Sequence, residues 1–241
     1  DGFRRRGLRR PARDHIVGGT AACRLEGGRN QYRSATIVRH RCAGDGTDVR
    51  EVTLPSLRKN VGIVLQDVFV FAATIRDNIA YGLDSAPMED VISAAKVAQL
   101  HDSILGFPRQ YGTLLGERGI NLSGGQKQRA TLARAVARNP KILVLDDALS
   151  AVDTHTEAKI LEDLRRVMAG RTSFIISHRV SAVMGADLIL VLDEGRIVER
   201  GTHPQLLAAG GTYATLLRRQ MLEAQIEEED APAAAVRSSP G

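Results

Sequence analysis

A serine and two glycines stand directly before a predicted helix in the stretch from Leu122 to Gln126, and this pattern is typical of a phosphate contact. The glycines, Gly124 and Gly125, let the backbone approach a ligand closely. The first amides of a helix lack partners within the helix and carry partial positive charge, so they suit an anion. The Ser123 hydroxyl can donate a hydrogen bond or cap the helix. An ordinary capped turn has the same residues, so the motif alone does not identify a site.

Polar residues follow three apolar segments that we predict to be strands. Gln66 follows the first segment, Asp146 and Asp147 follow the second, and Ser177 and His178 follow the third. Because ligands of open α/β sheets bind beyond the carboxyl ends of strands, these residues are candidates for one site. Two adjacent carboxylates repel each other unless a cation lies nearby, and Mg²⁺ takes carboxylate oxygens readily. A lone glutamine or histidine there is more often structural or a surface residue, so the aspartates carry the argument.

The hydrophobic pattern predicts the elements that position these residues. Short apolar segments predict buried strands at 61–65, 141–145 and 172–176, of which 141–145 is expected to be covered on both faces of a sheet. Two further strands are predicted at 187–192 and 196–199, joined by a hairpin. Helical spacing and caps predict helices at 87–100, 123–138, 156–168, 204–209 and 212–225. Alternation of strands and helices indicates an α/β fold with a mainly parallel sheet, which a mostly helical block at about 67–138 interrupts.

Composition indicates a globular protein with one sizeable core. The 241 residues are 43% hydrophobic and only 4% aromatic, so aliphatic side chains must fill that core. The sequence has no run of about 18 apolar residues, so none of it is predicted to span a bilayer. Cys23 and Cys42 form neither a disulfide framework nor a metal-binding pattern, and a reducing cytosol is the default compartment.

Both ends of the chain differ from its middle. Residues 1–50 contain twelve arginines, no lysine and five acidic residues. Such an arm could bind nucleic acid or anionic lipid. It has no interleaved aromatic residues, amphipathic period or apolar run, which favours a disordered or artefactual segment over 1–44. An acidic stretch followed by Ala, Pro and Ser predicts a disordered tail over 226–241.

Together these residues resemble the ATP-binding domain of ABC transporters, especially of the exporter type, over about 45–225. The resemblance implies a P-loop NTPase (RecA-like) parallel sheet with a helical subdomain at about 67–138. Six motifs occur in the family's order. They are the Q-loop at Gln66, the exporter X-loop at Gly116–Gly119, the signature motif at Leu122–Arg129, the Walker B strand at Ile142–Asp147, the D-loop at Ser150–Asp153 and the switch histidine at His178.

The resemblance implies a role for each matching residue at the strand ends. Asp146 would hold Mg²⁺, mostly through water, and Asp147 would polarise the attacking water. His178 would contact the γ-phosphate of ATP. Gln66 would reach the metal and the water and would sense the membrane domain. The chemistry is in-line transfer of a phosphoryl group to water.

The signature motif is implied to act on a second subunit. Ser123, Gly124, Gly125 and Gln126 would contact the γ-phosphate of ATP held by the opposite subunit, so two domains close head to tail over two nucleotides. Asp153 would lie at the dimer seam. The implied cofactors are ATP and Mg²⁺. The implied partners are a transmembrane domain and a second, identical or different, ATP-binding domain, with no specific nucleic acid. The implied location is the cytoplasmic face of the cell membrane, through a membrane domain that is not present in this chain.

The P-loop of the family is missing from the sequence. The pattern Gly-x-x-x-x-Gly-Lys-[Ser/Thr] does not occur, and Lys59 is the only lysine in residues 1–60. Because the P-loop amides and lysine hold the β- and γ-phosphates, we expect this chain to be impaired in its own ATP binding. A frameshift that changed the amino-acid sequence before Asp45 is one explanation. A genuine degenerate domain with a replaced N-terminus is the other.

Position 147 is Asp where the family usually has Glu. Asp is one methylene shorter, and a misplacement of about 1 Å can lower a rate about a hundredfold. Some paired exporters carry this change in the subunit with the weaker site, so catalysis by this chain is left open.

Three functions remain for the whole chain. The first is the ATPase domain of a drug- or lipid-type exporter, and the second is a non-hydrolysing module that supplies its signature motif to another subunit's ATP site. The third is a soluble ABC ATPase acting on DNA or translation, which only the arginine-rich arm supports.

Overall fold

The computed structural model describes residues 21–24, 43–44, 47–48, 51–116 and 121–236 of the chain. The strands are β1 (Ala21–Arg24), β2 (Ala43–Gly44), β3 (Thr47–Asp48), β4 (Val61–Val64), β5 (Ile142–Asp146), β6 (Thr172–Ser177), β7 (Ile189–Asp193) and β8 (Arg196–Gly201). The helices are α1 (Leu54–Asn60), α2 (Ile75–Ile79), α3 (Met88–Val97), α4 (His101–Leu105), α5 (Gly124–Ala137), α6 (Thr154–Met168), α7 (Val180–Val183), α8 (His203–Ala209) and α9 (Thr212–Val236).

A six-stranded sheet with the order β4-β5-β6-β1-β7-β8 lies at the centre. Neighbouring strands are parallel except β7 and β8, which form an antiparallel hairpin. In the parallel part, Asp146 is paired with Ile176, and Cys23 of β1 is paired with Ser177. The carboxyl ends of β5, β6 and β1 therefore meet at one edge of the sheet, as expected for an α/β ligand site.

One face of the central strands packs against helices. Val64 and Leu143 are fully buried on that face. Gly62 approaches the turn between α5 and β5 so closely that a Cβ would lie 2.7 Å from Cγ of Pro140. The opposite face is open among the described residues, because 53% of Ile63 and 39% of Phe174 are exposed. The expectation that 61–65 and 172–176 are buried strands is therefore met on one face only, and β5, expected to be covered on both faces, is only partly buried on its second face.

The elements between β4 and β5 are helical, as the sequence predicts for 67–138. They are α2 to α5 and a 3-10 turn at Gln110–Gly112, with one isolated β-bridge between Thr74 and Leu114. Helix α5 is the longest of these, and α2 and α3 pack against it. Its buried stripe includes Leu132 and Ala133. This arrangement fixes the start of α5, where the serine and glycines lie.

Two predictions at the ends of the chain need correction. Residues 1–44 are predicted to be disordered or frameshifted, yet β1 lies inside the sheet between β6 and β7. Residues 1–20 and 25–42, on which the rest of this prediction falls, lie outside the described part of the chain. A strand of four residues in an arginine-rich sequence is too short for its apolar pattern to be recognised. The tail was expected to begin at residue 226, yet α9 continues to Val236. Glutamates and alanines there favour a helix as readily as a solvated tail. Residues 117–119 of the predicted X-loop lie outside the described residues.

Candidate functional site

The start of α5 is closed by a capping box. The Gln126 amide donates to Ser123 Oγ at 3.3 Å, and the Ser123 amide donates to Gln126 Oε1 at 3.0 Å. Both bonds join residues three apart, so the local sequence is sufficient to form them. Ser123 and Gly124 are exposed. The free amides at the helix start and the exposed serine make this end of α5 suitable for a phosphate group of a ligand.

Asp147 and His178 contact each other at the carboxyl edge of the sheet. The distance from His178 Nδ1 to Asp147 Oδ1 is 3.0 Å, and the His178 amide donates to the same oxygen at 3.3 Å. The Asp147 amide donates to the Ile176 carbonyl at 2.8 Å. Asp147 has a φ of 45°, in the left-handed region that aspartate tolerates better than most residues. This backbone turn directs the carboxylate toward His178.

Asp146 and Gln66 lie at the same edge. Asp146 is the last residue of β5, and Gln66 is exposed just beyond β4, the neighbouring strand. Among the described residues, no group of three or more His, Cys, Asp or Glu side chains could hold a metal ion. Protein sites for Mg²⁺ often use only one or two carboxylates together with water and the phosphates of the substrate. The donors at this edge therefore fit Mg²⁺ bound with a nucleotide.

The predicted D-loop links the two regions. From α5, Gln128 donates to Ser150 Oγ at 2.9 Å and accepts from the Ala151 amide at 2.8 Å. From the segment after β6, the Arg179 guanidinium donates to the carbonyls of Ser150 and Val152, each at 3.2 Å. The backbone from Ser150 to Val152, which we call the bridging loop, is therefore held from both sides.

Asp153 follows the bridging loop and caps α6. Its Oδ1 accepts from the Thr156 amide at 2.9 Å, and the residue is exposed. This hydrogen bond lowers the pKa of the Asp153 carboxyl from its usual value. The negative charge at a helix start is favourable for the helix dipole. Asp153 is thus a charged, exposed group on the same side of the domain as the bridging loop.

Sequence reasoning missed the residues that fix these groups in place. Gln128 lies in the predicted signature motif and Arg179 directly follows His178, but no sequence pattern predicts a partner for either of them or for Glu157. Arg134 is a further example. It donates to the Asn78 carbonyl at 2.7 Å and to the Phe69 carbonyl at 3.0 Å, which ties α5 to the segment after Gln66. Only the tertiary contacts identify such residues.

None of the helices in the described part of the chain is both long and apolar enough to span a bilayer.

Comparison with known proteins identifies the family. The family model described as ABC transporter matches residues 32–150. The match begins before residue 45, where the sequence had suggested that the resemblance starts. Two relatives are the uncharacterized ABC transporter ATP-binding protein YknU of Bacillus subtilis, 51% identical over 185 residues, and the ATP-dependent lipid A-core flippase of Syntrophus aciditrophicus, 46% identical over 185 residues. Each alignment covers 77% of this chain but only 32% and 31% of the two relatives.

A solved structure agrees with the fold. It is the structure of a bacterial Atm1-family ABC exporter with ATP bound, which matches with a TM-score of 0.73 and 43% sequence identity. The match covers 84% of this chain and 36% of that chain. The α/β fold with a parallel sheet predicted from the sequence is thereby confirmed. The chain belongs to the ABC transporter family and is similar to the ATP-binding domains of its exporters.

Proposed function

We propose that this chain is the nucleotide-binding domain of an ABC exporter and works as one of a pair, using ATP hydrolysis to drive transport across a membrane. One observation carries the proposal. A single domain of this family holds both an exposed, capped helix start at Ser123 and an Asp147–His178 pair at the carboxyl edge of its sheet. The helix start suits the phosphate of a nucleotide that a second domain holds, and the Asp147–His178 pair suits a nucleotide bound at the sheet of this chain.

The position of the signature residues supports the proposed pairing. Ser123 and Gly124 are exposed, so a nucleotide on a second domain can reach them. In a two-fold dimer each domain would then contribute its signature end to the partner's nucleotide and its sheet edge to its own. Asp153, exposed beside the bridging loop, would lie at the contact between the domains.

The residues at the sheet edge have separate roles in this proposal. Mg²⁺, when bound with ATP, neutralises charge on the transferred phosphoryl group. Asp146 and Gln66 would hold that metal, largely through water. Asp147 would orient and polarise the attacking water, while His178 would contact the γ-phosphate and keep the Asp147 carboxylate in place through their 3.0 Å contact.

We further propose a transmembrane domain as partner and the cytoplasmic face of the membrane as location. The lengths of the relatives support this, since the chain covers about a third of each. The name of one relative gives lipid A-core flipping as its activity, and the solved structure is named as an exporter. The arginine-rich arm adds no argument for nucleic acid.

A second candidate is a module that does not hydrolyse ATP and only completes a partner's site. Two observations favour it. The sequence contains no P-loop pattern, and position 147 is Asp where the family usually has Glu. Both would weaken the chain's own site and leave the signature end unaffected.

Complementation between two inactive variants tests the proposal. The full chain is purified as wild type, His178→Ala and Ser123→Arg, and phosphate release from Mg-ATP is measured against chain concentration. Each variant alone is expected to be inactive. An equimolar mixture is expected to recover about a quarter of the wild-type rate, because half of the dimers are mixed and each has one intact site. Ser85→Arg, at an exposed serine outside the site, is the matched control and is expected to keep the wild-type rate.

The outcomes separate the two candidates. If the wild-type chain is active but the mixture of the two inactive variants recovers no phosphate release, the signature does not act on a partner copy and the proposed pairing fails. If the wild-type chain releases no phosphate at any concentration and binds no ATP in calorimetry, the non-hydrolysing module replaces the ATPase domain as the better account.

A further inference from the structure

Arg179, which holds the bridging loop, also forms an ion pair with Glu157 of α6. The carboxylate is buried and the guanidinium is partly exposed, with the Glu157 side chain 4% exposed and the Arg179 side chain 27% exposed. Oε1 of Glu157 is buried and has no hydrogen-bond partner among the described residues. Removing the Glu157 carboxylate from water is unfavourable, so a pair that leaves one of its oxygens unsatisfied is a weak source of stability. A role in positioning the neighbouring backbone explains this ion pair better than a contribution to the stability of the fold does.

The guanidinium of Arg179 is suited to hold several groups at once. While it pairs with Glu157, its Nη1 reaches the Val152 carbonyl and its Nη2 reaches the Ser150 carbonyl. A planar guanidinium presents these donors in a fixed fork, whereas the ammonium of lysine is a single point charge without that geometry. Lysine at this position would keep the charge and lose the simultaneous contacts.

The backbone around Arg179 is fixed as well. Gln220 of α9 donates to the His178 carbonyl at 2.6 Å and accepts from the Val180 amide at 2.9 Å. The Arg179 amide donates to Ser177 Oγ at 3.0 Å. With the main chain held on both sides of Arg179, a displacement of the bridging loop cannot be absorbed there without disturbing His178.

We propose that Arg179 and Glu157 form a positioning pair that makes the bridging loop and His178 move as one unit. Gln128 joins the same loop to α5, so the pair connects the signature end to the Asp147–His178 contact. The proposal rests on the proposed function, because it links the two half-sites that one chain would contribute to two nucleotides. Arg179 acts through its neighbours and is a positioning residue, not a catalytic one.

Amide hydrogen exchange on the full chain, resolved by NMR and carried out without nucleotide, tests the link. The informative amides are those of Ala151 in the bridging loop and Val180 after His178. In Arg179→Lys both are expected to exchange between about tenfold and a hundredfold faster, the range that follows from losing hydrogen bonds to a charged group. Glu157→Gln is also expected to speed exchange at these two amides, since it leaves the guanidinium without its counter-charge.

Arg171→Lys is the matched control. Arg171 donates to the Pro140 carbonyl at 3.0 Å and to Asn139 Oδ1 at 3.1 Å, at the opposite end of β6. This variant is expected to leave the exchange of Ala151 and Val180 at the wild-type rate. The His178 ring resonances are a second readout, expected to shift in Arg179→Lys and to stay unchanged in Arg171→Lys.

Three results would overturn the positioning role. One is unchanged exchange at both amides in Arg179→Lys. Another is faster exchange at Ala151 alone, with Val180 and the His178 ring as in wild type, because the pair would then serve only the loop. The third is a uniform rise of the exchange rate at all amides, which would indicate a general loss of stability. None of these depends on ATP or on a partner, so they are distinct from failure of the phosphate-release experiment.

Discussion

The signature end of α5 and the Asp147–His178 pair achieve their geometry in different ways. The bonds between Ser123 and Gln126 span three residues, whereas the contact between Asp147 and His178 spans 31. The first forms wherever this sequence is helical. The second exists because β5 and β6 are parallel neighbours in a register that pairs Asp146 with Ile176. The signature end is therefore robust to changes elsewhere, and the sheet-edge pair depends on the whole sheet.

The bridging loop is where the two regions meet. Gly125 of the signature end lies so near the loop that a Cβ would stand 2.7 Å from the Ala151 carbonyl oxygen. Arg179, next to His178, contacts the other side of the loop. The signature end and the residue that follows His178 are thus in contact with the same three residues, and changes on either side can separate their contributions.

The largest effect is expected for Asp147→Asn. Asn fits the left-handed backbone of Asp147 and has the same size, so the free energy of unfolding should change by less than about 1 kcal/mol. Phosphate release should fall by about 10² to 10⁴-fold, because the carboxylate that would polarise water is lost. Urea unfolding and steady-state phosphate release measure the two quantities. An unchanged rate would show that Asp147 is not part of the chemistry.

An intermediate effect is expected for Gly125→Ala. Its Cβ would press on the Ala151 carbonyl, and overpacking of this kind lowers the free energy of unfolding by about 1–3 kcal/mol. Gly124→Ala is the matched control, because its Cβ would stand 3.6 Å from that of Ala151, an ordinary contact. It should be neutral or stabilising by up to about 1 kcal/mol. Equal urea midpoints for the two variants would contradict the close approach of α5 to the loop.

The smallest effect is a pH dependence at Asp153. The Thr156 amide lowers the pKa of this carboxyl in the folded state, so its contribution to stability is present above the unfolded pKa of about 3.9 and is lost as pH falls through the lower folded value. Asp153→Asn keeps the cap without the charge, so the advantage of the wild type over this variant should be smaller at pH 3 than at pH 7.

Urea midpoints at the two pH values measure that difference. Asp153→Ala removes the cap altogether and should be less stable than Asp153→Asn at both pH values. A wild type that keeps the same margin over Asp153→Asn at pH 3 as at pH 7 would show that the Thr156 hydrogen bond does not favour the charged carboxyl.

Much of the fold was predictable because its strongest signals are local. Five strands and most helices lie at nearly the predicted residues, since apolar runs and caps mark them. The strand β1 was missed, because four residues in an arginine-rich context carry little pattern. The exposed face at Ile63 and Phe174 was missed as well, because an apolar run looks the same whether or not a helix covers it.

The sequence by itself determined the chemistry available to this protein. It placed carboxylates, a glutamine and a histidine after strands and a capped, glycine-rich start before a helix, and short-range patterns are sufficient for that. The tertiary structure alone decided which of these groups touch. Strand order and register bring Asp147 to His178, and buried side chains such as Gln128, Glu157 and Arg179 fix the loop between them. Hydrogen bonds between residues 22 to 31 positions apart form only after the chain has packed, so no local pattern reports them.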